Sequence, residues 1–233
     1  MRAGFKIPNP NRFLTLTRLL CYSLGMGTVI VTHDGKFHAD EVFAVAALSL
    51  LERNVKIVRT REGSAIAGAD IVVDVGGVYE EKKDRFDHHQ IGGAGKRENG
   101  IPYAAFGLVW RRFGEKLCGN LAVARRVEEV LVIPIDANDN GIDLATPAFS
   151  HSVPYDISDA IRSFNPTWQE KEVEVHDHFN EAVAFAKRLI EREIERAKAV
   201  IMSEAEVEAV YRISPDKRLV VLDEDYSWKN VLA

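Results

Sequence analysis

The sequence has few cysteines and no long apolar run. Two of its 233 residues are cysteine, Cys21 and Cys118, which is too few for a disulfide framework or a cysteine-rich zinc site. A reducing compartment, the cytoplasm, is therefore expected. The longest uncharged stretch, residues 19–33, includes serine and threonine and is shorter than the roughly 18 to 20 apolar residues that a membrane helix needs. The sequence predicts no membrane span.

An excess of positive charge is also missing, because 30 lysine and arginine residues stand against 35 aspartate and glutamate residues. General binding to a phosphate backbone requires clustered basic side chains, so this balance excludes a passive nucleic-acid-binding module. A phosphate-containing substrate is compatible with the sequence if bound metal ions supply the positive charge. With 46% hydrophobic and 28% charged residues, the composition is typical of a globular protein with a sizeable core.

Residues 1–27 differ from the rest because they carry four basic side chains and no acidic one. We interpret this segment as a basic tail that is either disordered or the product of a start codon placed upstream of Met26. An organellar targeting sequence is the alternative, because such sequences are rich in arginine and poor in acidic residues.

Strand and helix signals alternate from residue 28 onward. The β-branched run at residues 28–32 predicts a buried strand, residues 40–52 a helix, and residues 55–60 and 70–75 two further strands. Such alternation is typical of an α/β fold with a mostly parallel sheet flanked by helices. In these sheets ligands collect at the carboxyl ends of the strands, so the polar residues that follow Thr32 and Val73 are the candidates for a site.

A glycine-rich segment, residues 91–102, is predicted to be a mobile loop. It is not a phosphate-binding P-loop, because GxxxxGK[ST] is absent. Helices are predicted at residues 103–113 and 121–135, and the Asn140-Gly141 pair marks the end of the second.

The last third of the chain differs in character. Apolar residues three and four apart predict a long amphipathic helix from Val175 onward, and two short strands are predicted at residues 207–213 and 219–222. We therefore predict a catalytic domain at residues 28–150, followed at residues 151–233 by a helical linker and a smaller α+β domain that covers the substrate.

Histidine and carboxylate side chains cluster where strands and helices are predicted to end. Imidazole and carboxylate together, without thiolate, suit Mn²⁺, Mg²⁺, Zn²⁺ or Fe²⁺. A carboxylate after the apolar run at residues 71–73 is costly to bury unless it is paired or bound to a metal. The clusters are His33 to Glu41, Asp74, Asp87-His88-His89-Gln90, and Asp136 with Asp139.

These clusters resemble, in order and spacing, the motifs of the melanocyte-proliferating-gene (Myg) family of metal-dependent hydrolases, which is similar to the DHH phosphoesterases. The likeness begins near residue 28 and continues to the C-terminus, with further similar segments at residues 59–61, 165–168 and 228–229. The resemblance implies a DHH-like fold and two divalent metal ions per chain. Family members usually continue beyond residue 229, so the second domain is expected to be incomplete.

The resemblance also implies roles for individual residues. His89 would contact the phosphate or protonate the leaving oxygen, and His89, Asp87 and Asp74 form the expected catalytic group. Asp74 would bridge the two ions, and Asp139 is the competing choice for the ligand role of Asp136. The implied metal ligands are His33, His38, Asp40, Asp74, His88 and Asp136 or Asp139.

One departure from the wider superfamily affects the expected metal. His38 stands where those enzymes usually have an aspartate, and an additional imidazole moves preference from Mn²⁺ or Mg²⁺ toward Zn²⁺, Fe²⁺ or Co²⁺. Mn²⁺ or Mg²⁺ is still the first expectation. Positive side chains are needed for the phosphate oxygens, and the alternative for each candidate is a solvated surface charge. The candidates are Arg59, Arg61, Lys96 and Arg97.

The predicted function is metal-dependent hydrolysis of phosphodiester bonds, as a 3′-5′ exonuclease on single-stranded RNA or DNA. A phosphatase or pyrophosphatase acting on a small substrate is the alternative, and a tight pocket closed by residues 92–100 would favour it. An open groove lined by aromatic residues would favour a nucleic acid strand, because bases stack on aromatic rings. A non-catalytic, metal-stabilised binding protein is the third interpretation. A homodimer is compatible with the sequence.

Overall fold

The computed structural model describes residues 27–52, 54–170 and 174–232. The predicted basic tail, apart from residue 27, lies outside these residues, as does Cys21. A five-stranded sheet forms the centre of the described part, with the strand order β2-β1-β3-β5-β4. The strands are β1 (Thr28–Thr32), β2 (Val55–Arg59), β3 (Ile71–Val73), β4 (Tyr79–Glu80) and β5 (Arg85–Phe86).

The sheet is parallel except at one edge. Ile30 of β1 lies beside Ile57 of β2 and Ile71 of β3, and both pairings are parallel. Strand β5 pairs parallel to β3, and only β4 runs antiparallel. The central strands are rich in β-branched residues because both faces of a parallel sheet are covered. The predicted α/β fold is confirmed, whereas β4 and β5 are not evident from the sequence because each has only two residues.

Helix α1 (Ala39–Leu51) follows β1 and returns the chain to the sheet as a crossover. Ten of its thirteen residues are buried, which explains why its apolar residues occur on nearly every side. Phe43 contributes to this burial and packs against Phe106 at a ring-centroid distance of 5.5 Å. Burying one such side chain stabilises the fold by about 1.5 to 3 kcal/mol. A short helix, α2 (Gly63–Gly68), replaces the connection that the sequence suggested between β2 and β3.

The helices after the sheet place further polar groups beside it. Helix α3 spans Ala105–Cys118, α4 spans Leu121–Val127, and α5 spans Ile133–Asp139. A π-helical segment, Glu128–Val132, joins α4 to α5. Pro134 lies in the first turn of α5 and has no N–H to donate, which interrupts the regular helical hydrogen bonding at this junction.

Residues after 150 are helical where they are regular. Helix α6 spans Ile157–Arg162, α7 spans Val175–Ile213 and α8 spans Lys229–Leu232. The strand predicted at residues 207–213 is wrong, because these residues continue α7. Val207 is fully buried, four residues after the buried Ser203, so packing at helical spacing outweighs the local strand preference. The strand predicted at residues 219–222 is also wrong, since this segment is irregular.

One hydrophobic core joins the two parts of the chain. It includes Phe43 of α1 and Phe179 of α7, together with Cys118 at the end of α3. Phe37 contacts Phe179 edge to face at 5.5 Å. The domain boundary expected at residue 150 stays a prediction. Across the described ranges, every helix lacks the combination of length and apolar sequence that a bilayer crossing demands.

Candidate metal centre

The loop between β1 and α1 carries the first two histidines. His33 follows the last residue of β1 and is 5% exposed, while His38 precedes α1 and is exposed. The main chain of Phe37, between them, is held by a side chain from the far part of the sequence. Its N–H donates to Asn165 Oδ1 at 2.9 Å, and its carbonyl accepts from Asn165 Nδ2 at 2.8 Å. This paired contact fixes the loop against the segment that follows α6.

The start of α1 orients two carboxylates inward. Asp40 is fully buried and accepts hydrogen bonds from the backbone N–H groups of Ala105 and Phe106, at 2.8 and 2.6 Å. These groups belong to the beginning of α3, where the helix dipole favours negative charge. Glu41 is also fully buried, and its Oε1 accepts from the His38 N–H at 2.9 Å. The same oxygen lies 2.8 Å from His33 Nε2.

Asp74 lies between the two histidine groups. It follows β3 with a φ of 53°, in the left-handed region that aspartate tolerates better than most residues. Its Oδ2 is 3.5 Å from His33 Nε2, and its Oδ1 is 3.4 Å from His88 Nε2. The two oxygens of one buried carboxylate therefore point toward two different imidazoles, which is the arrangement that a bridging ligand requires.

His88 completes the centre from the segment after β5. Its Nε2 is 3.0 Å from Asp139 Oδ2 and 3.9 Å from Asp40 Oδ2. Ligand atoms of Asp40, His88 and Asp139 lie within 4.8 Å of one another, as do those of Asp74, His88 and His89. The structure thus brings together residues from four separate parts of the sequence at the carboxyl edge of the sheet.

Two atoms at this point are buried without a hydrogen-bond partner: His88 Nε2 and Asp74 Oδ1. A buried polar atom without a partner is costly, and the cost is removed if a cation lies between the nitrogen and the carboxylate oxygens. The donor set of imidazole and carboxylate is one that divalent transition metals and Mn²⁺ accept. The residues therefore fit a divalent metal ion.

Glu41 is a candidate ligand that the sequence reasoning did not assign. Ligand atoms of His33, His38 and Glu41 lie within 4.8 Å of one another, and Glu41 Oε2 is buried without a hydrogen-bond partner. The signal was available, because Glu41 stands three residues after the helix N-cap and directly after Asp40. A glutamate at that position usually caps the helix, and its second oxygen is left free to bind.

The pKa values on one side of the centre show how strongly the groups interact. Burial alone would lower the pKa of the His33 imidazole, but its interactions with Asp74 and Glu41 outweigh this effect and raise that pKa to about 10. Burial alone would raise the pKa of Asp74, but His33 and His88 lower it to about 2. Asp74 is therefore a carboxylate, ready to bind a cation, at any physiological pH.

The pKa values of His88 and Asp40, on the other side of the centre, are also shifted by their neighbours. Burial alone would lower the pKa of His88, but Asp139 and Asp74 outweigh it and raise the pKa to about 11. Burial raises the pKa of Asp40 well above its usual range, and the nearby charges of Asp139, Asp74 and Asp136 add to the shift. In the metal-free chain protons neutralise this group of carboxylates, and a bound metal ion would displace them.

His89 and Asp87 form a pair at the outer edge of the centre, where His89 Nδ1 also lies 3.3 Å from Asp74 Oδ1. His89 is 61% exposed at its side chain, and its Nδ1 lies 2.7 Å from Asp87 Oδ1. Asp87 is 1% exposed and also accepts hydrogen bonds from the backbone N–H groups of Gly77 and His89. A carboxylate held in this way fixes the orientation of the imidazole, and the outer edge of the His89 ring is left for a substrate.

The structure separates Asp136 from the groups that could hold a metal ion. Asp136 is fully buried, with Oδ2 2.7 Å from Arg97 Nη1 and Oδ1 accepting from the Gly107 N–H at 3.0 Å. A side chain at Gly107 would place its Cβ 1.8 Å from Asp136 Oδ2, so only glycine leaves room. Burial raises the pKa of Asp136 to about 7, although the Arg97 charge opposes the shift. Asp139, one turn later, is the residue that reaches His88.

Arg97 is an internal residue. Its side chain is 7% exposed and its Nε lies 2.7 Å from Glu128 Oε1, while the guanidinium covers the ring of Tyr103 at 4.2 Å. The interpretation of Arg97 as a solvated loop residue is therefore wrong, and its predicted role in substrate binding stays a prediction. Its contacts bind the glycine-rich loop to the π-helical segment. Lys96 is exposed and lies outside the cleft at the metal centre.

Arg59 and Arg61, the other two arginines predicted to bind the substrate, differ in their contacts and exposure. Arg59 donates from Nη2 to the Gly35 carbonyl at 2.7 Å and lies 4.6 Å from the ring centroid of Phe179. Burial lowers its pKa, and its contacts support the loop that carries His33. Arg61 is 65% exposed and lies 3.2 Å from Asp34 Oδ1, so its guanidinium is accessible.

A cleft of about 930 Å³ opens over the centre. Lys36 and Arg61 supply positive charge at its wall, and residues of the glycine-rich loop are not among those that line it. The lining residues are His33, Asp34, Gly35, Lys36, His38, Arg61, Asp74, Val75, Gly76, Gly77, Asp87, His88, His89 and Asp139.

Comparison with known proteins identifies the family. Residues 29–233 match the family model MYG1_exonuc, which is described as "Uncharacterised protein family (UPF0160)". The chain belongs to this family. The resemblance to the Myg family that the motifs indicated is thus confirmed.

Several curated proteins are similar to this chain. The "MYG1 protein C27H6.8" of Caenorhabditis elegans is 30% identical over 224 residues, which cover 85% of this chain and 65% of that protein. The "MYG1 exonuclease" of Rattus norvegicus is 35% identical and that of Homo sapiens 34% identical, over 66% of this chain and 46% of each relative. The chain thus spans less than two thirds of the length of these relatives. No solved structure matches the chain significantly.

Proposed function

We propose that this MYG1-family chain is a metal-dependent hydrolase that cleaves phosphodiester bonds in single-stranded nucleic acid, as an exonuclease. The observation that carries the proposal is the convergence of His88 with Asp40, Asp74 and Asp139, with two buried polar atoms left without hydrogen-bond partners. Relatives named "MYG1 exonuclease" support a nucleic acid substrate.

Two divalent ions, Mn²⁺ or Mg²⁺ first and Zn²⁺, Fe²⁺ or Co²⁺ as alternatives, are the proposed cofactors. His33, His38 and Glu41 would hold one ion, and Asp40, His88 and Asp139 the other, with Asp74 between them. When bound, such ions activate water for attack on phosphorus and neutralise the developing negative charge. The support for two positions is that Asp74 presents one oxygen to each histidine.

The residues around the cleft supply the other requirements of hydrolysis. His89, held by Asp87, would donate a proton from its outer ring nitrogen to the leaving oxygen. Arg61 and Lys36 would bind the non-bridging phosphate oxygens, since both line the cleft and Arg61 is exposed. Arg59 would act through the loop that it supports, because its guanidinium is committed to Gly35 and the phenylalanine rings.

A small-substrate phosphatase has less support. That alternative calls for a pocket closed by residues 92–100, yet the residues that line the cleft come from the loop after β1, the segment after β3 and the histidine pair. The glycine-rich loop is instead bound through Arg97 to Glu128 and Asp136.

The test is an assay of the full chain after its metal ions have been removed by a chelator. Single-stranded RNA and DNA labelled at the 5′ end, together with pyrophosphate and 4-nitrophenyl phosphate, are incubated with Mn²⁺, Mg²⁺, Co²⁺ and Zn²⁺ in turn. We expect metal-dependent shortening of the oligonucleotides from the 3′ end and slower release from the small substrates. Cleavage that continues without metal, or turnover of the small substrates alone, would overturn the proposal.

Two variants distinguish the loss of activity caused by changing the metal centre from any general effect of removing a carboxylate. Asp74→Asn keeps the size of a buried side chain at the centre, whereas Asp177→Asn changes an exposed residue in the first turn of α7. We expect Asp177→Asn to cleave as the unchanged chain does and Asp74→Asn to be inactive.

A further inference from the structure

A second, smaller cavity of about 200 Å³ adjoins the metal centre. It shares His38 and Asp139 with the large cleft, so the two spaces meet at candidate metal ligands. The smaller cavity therefore adjoins the cleft at these two residues, and Arg61 and Lys36 are not among the residues that line it. The residues that line it are His38, Ala39, Asn138, Asp139, Ser158 and Arg162.

Polar groups in this cavity are available for a ligand. Ser158 is only 6% exposed and lines the cavity. The Arg162 side chain is 62% exposed, and its Nη1 lies 2.7 Å from Asp159 Oδ1. A guanidinium has five N–H donors, so this single contact leaves most of them free. A cation and a hydroxyl beside one another are typical of a site for a phosphate oxygen.

Basic side chains line both the large cleft and the small cavity, so two phosphates of one substrate could be bound. Arg61 and Lys36 line the large cleft, Arg162 lines the small one, and the candidate ligands His38 and Asp139 stand between them. A mononucleotide held at the centre by its phosphate has no second phosphate, and the two phosphates of pyrophosphate share one oxygen, so they cannot lie a nucleotide apart. A nucleic acid strand has another phosphate one nucleotide away from the bond that is cleaved, and such phosphates are bound by arginine and hydroxyl groups.

We propose that Arg162, with Ser158, forms a subsite for the phosphate that lies one nucleotide inward from the cleaved bond. The subsite rests on the proposed function, because it is defined relative to a phosphodiester at the metal centre. It would make the enzyme prefer strands of three nucleotides or more over a dinucleotide without a 5′-phosphate, since that dinucleotide lacks the inward phosphate.

The test combines a change in the protein with a change in the substrate. Arg162→Gln removes the charge, and Arg196→Gln is the matched control, because Arg196 is 74% exposed and also pairs with an acid three residues earlier, Glu193. The probe is a 5′-fluorescein single-stranded pentanucleotide, either unmodified or with a neutral methylphosphonate at the inward position. Binding is measured by fluorescence anisotropy with Ca²⁺ over a range of salt concentrations, and cleavage is measured with Mn²⁺.

We expect Arg162→Gln to weaken binding of the unmodified strand about tenfold and to reduce the salt slope by about one, as the loss of one phosphate contact predicts. The methylphosphonate should weaken binding to the unchanged chain and to Arg196→Gln by a similar factor, and should have no further effect on Arg162→Gln. Arg162→Lys should restore part of the affinity, which a variant that had merely lost its fold would not do.

Two different failures can be distinguished. If the unchanged chain binds and cleaves the strand but Arg162→Gln and Arg196→Gln behave alike, the subsite is overturned and the proposed function stands. Equal losses on methylphosphonate in the unchanged chain and Arg162→Gln would overturn the subsite as well. If the unchanged chain neither binds nor cleaves any strand, the proposed function fails and the subsite fails with it.

Discussion

Two buried clusters of carboxylates lie near each other in this chain and are neutralised differently. In the Arg97 cluster, formed by Arg97, Glu128 and Asp136, the chain supplies its own guanidinium at 2.7 Å from each carboxylate. At the metal centre the neighbours of Asp74 are imidazoles, which are cations only when protonated. The first cluster contains its own permanent cation, whereas the second combines carboxylates with imidazoles and fits an added divalent cation.

Asp136 and Asp139, one turn apart on α5, belong to different clusters and so have different roles. Asp136 points into the protein, where Gly107 and Arg97 hold it. Asp139 stands at the end of the helix, beside His88 and the cleft. A helical turn between them is enough to separate a structural carboxylate from a candidate ligand.

The largest effect should come from breaking the metal centre itself. Asp74→Asn preserves the size of the side chain, and asparagine tolerates the positive φ of 53° at this position, so the backbone is expected to keep its form. Hydrolysis of a single-stranded oligonucleotide should fall by at least about a hundredfold, because an oriented charge at the reacting position is lost. Initial rates measure this effect, and circular dichroism checks the fold. An Asp74→Asn chain as active as the unchanged chain would contradict the role of Asp74.

Breaking the Arg97 cluster should affect stability. Arg97→Met leaves Asp136 and Glu128 without their cation, and removal of one partner from a buried ion pair costs about 3 to 5 kcal/mol. Urea denaturation followed by circular dichroism measures the change. Adding Asp136→Asn to Arg97→Met should recover part of the loss. A variant with unchanged stability and no activity would instead place Arg97 at the substrate.

The two aspartates of α5, Asp136 and Asp139, should respond differently to the same substitution. Asp139→Asn should weaken Mn²⁺ binding by at least about 100-fold, because it removes a proposed ligand and changes behind the ligands alone commonly cost about 10- to 100-fold, with little effect on stability. Asp136→Asn should leave Mn²⁺ affinity within about threefold, because its carboxylate is bound by Arg97, and should alter the urea midpoint. Isothermal titration calorimetry and denaturation measure the two quantities. The reverse pattern would restore Asp136 as the ligand.

The smallest expected effect concerns the support of the loop that carries His33 and His38. Asn165→Ala removes both hydrogen bonds to Phe37, and we expect Co²⁺ to bind about tenfold more weakly, with a changed visible absorption spectrum. Asn120→Ala is the control, because Asn120 caps α4 by accepting from the N–H groups of Ala122 and Val123. That change should cost about 1 kcal/mol of stability and leave the Co²⁺ spectrum as it is.

Much of the centre could be predicted because strand ends in a parallel sheet meet at one edge. His33 follows β1 and Asp74 follows β3, so their proximity comes from the order of the strands. Glu41 was not assigned because a glutamate in the first turn of a helix has an ordinary capping role. Arg97 was misplaced because the glycines around it indicate an exposed loop, and its burial depends on Asp136 and Glu128, which are distant in the sequence.

The C-terminal region was harder to predict for a similar reason. Val207 and its β-branched and aromatic neighbours favour a strand locally, but Val207 is buried one helical turn after Ser203 and the helix continues to Ile213, although Tyr211 and Ile213 are exposed. Tertiary packing of this kind outweighs strand preference. The cavity beside Arg162 could not be predicted either, since it forms only where α6 packs beside the start of α1 and the end of α5.

The central claim is that the carboxylates around Asp74 require added divalent metal. The most direct measurement is the metal content of the purified full chain after chelation, reloading with Mn²⁺ and removal of free ions, read by inductively coupled plasma mass spectrometry alongside the oligonucleotide assay. The account predicts two Mn²⁺ ions per chain, with fewer in Asp74→Asn, and hydrolysis that is lost on chelation and regained on reloading. Retention of no Mn²⁺, or hydrolysis that survives chelation, would contradict it.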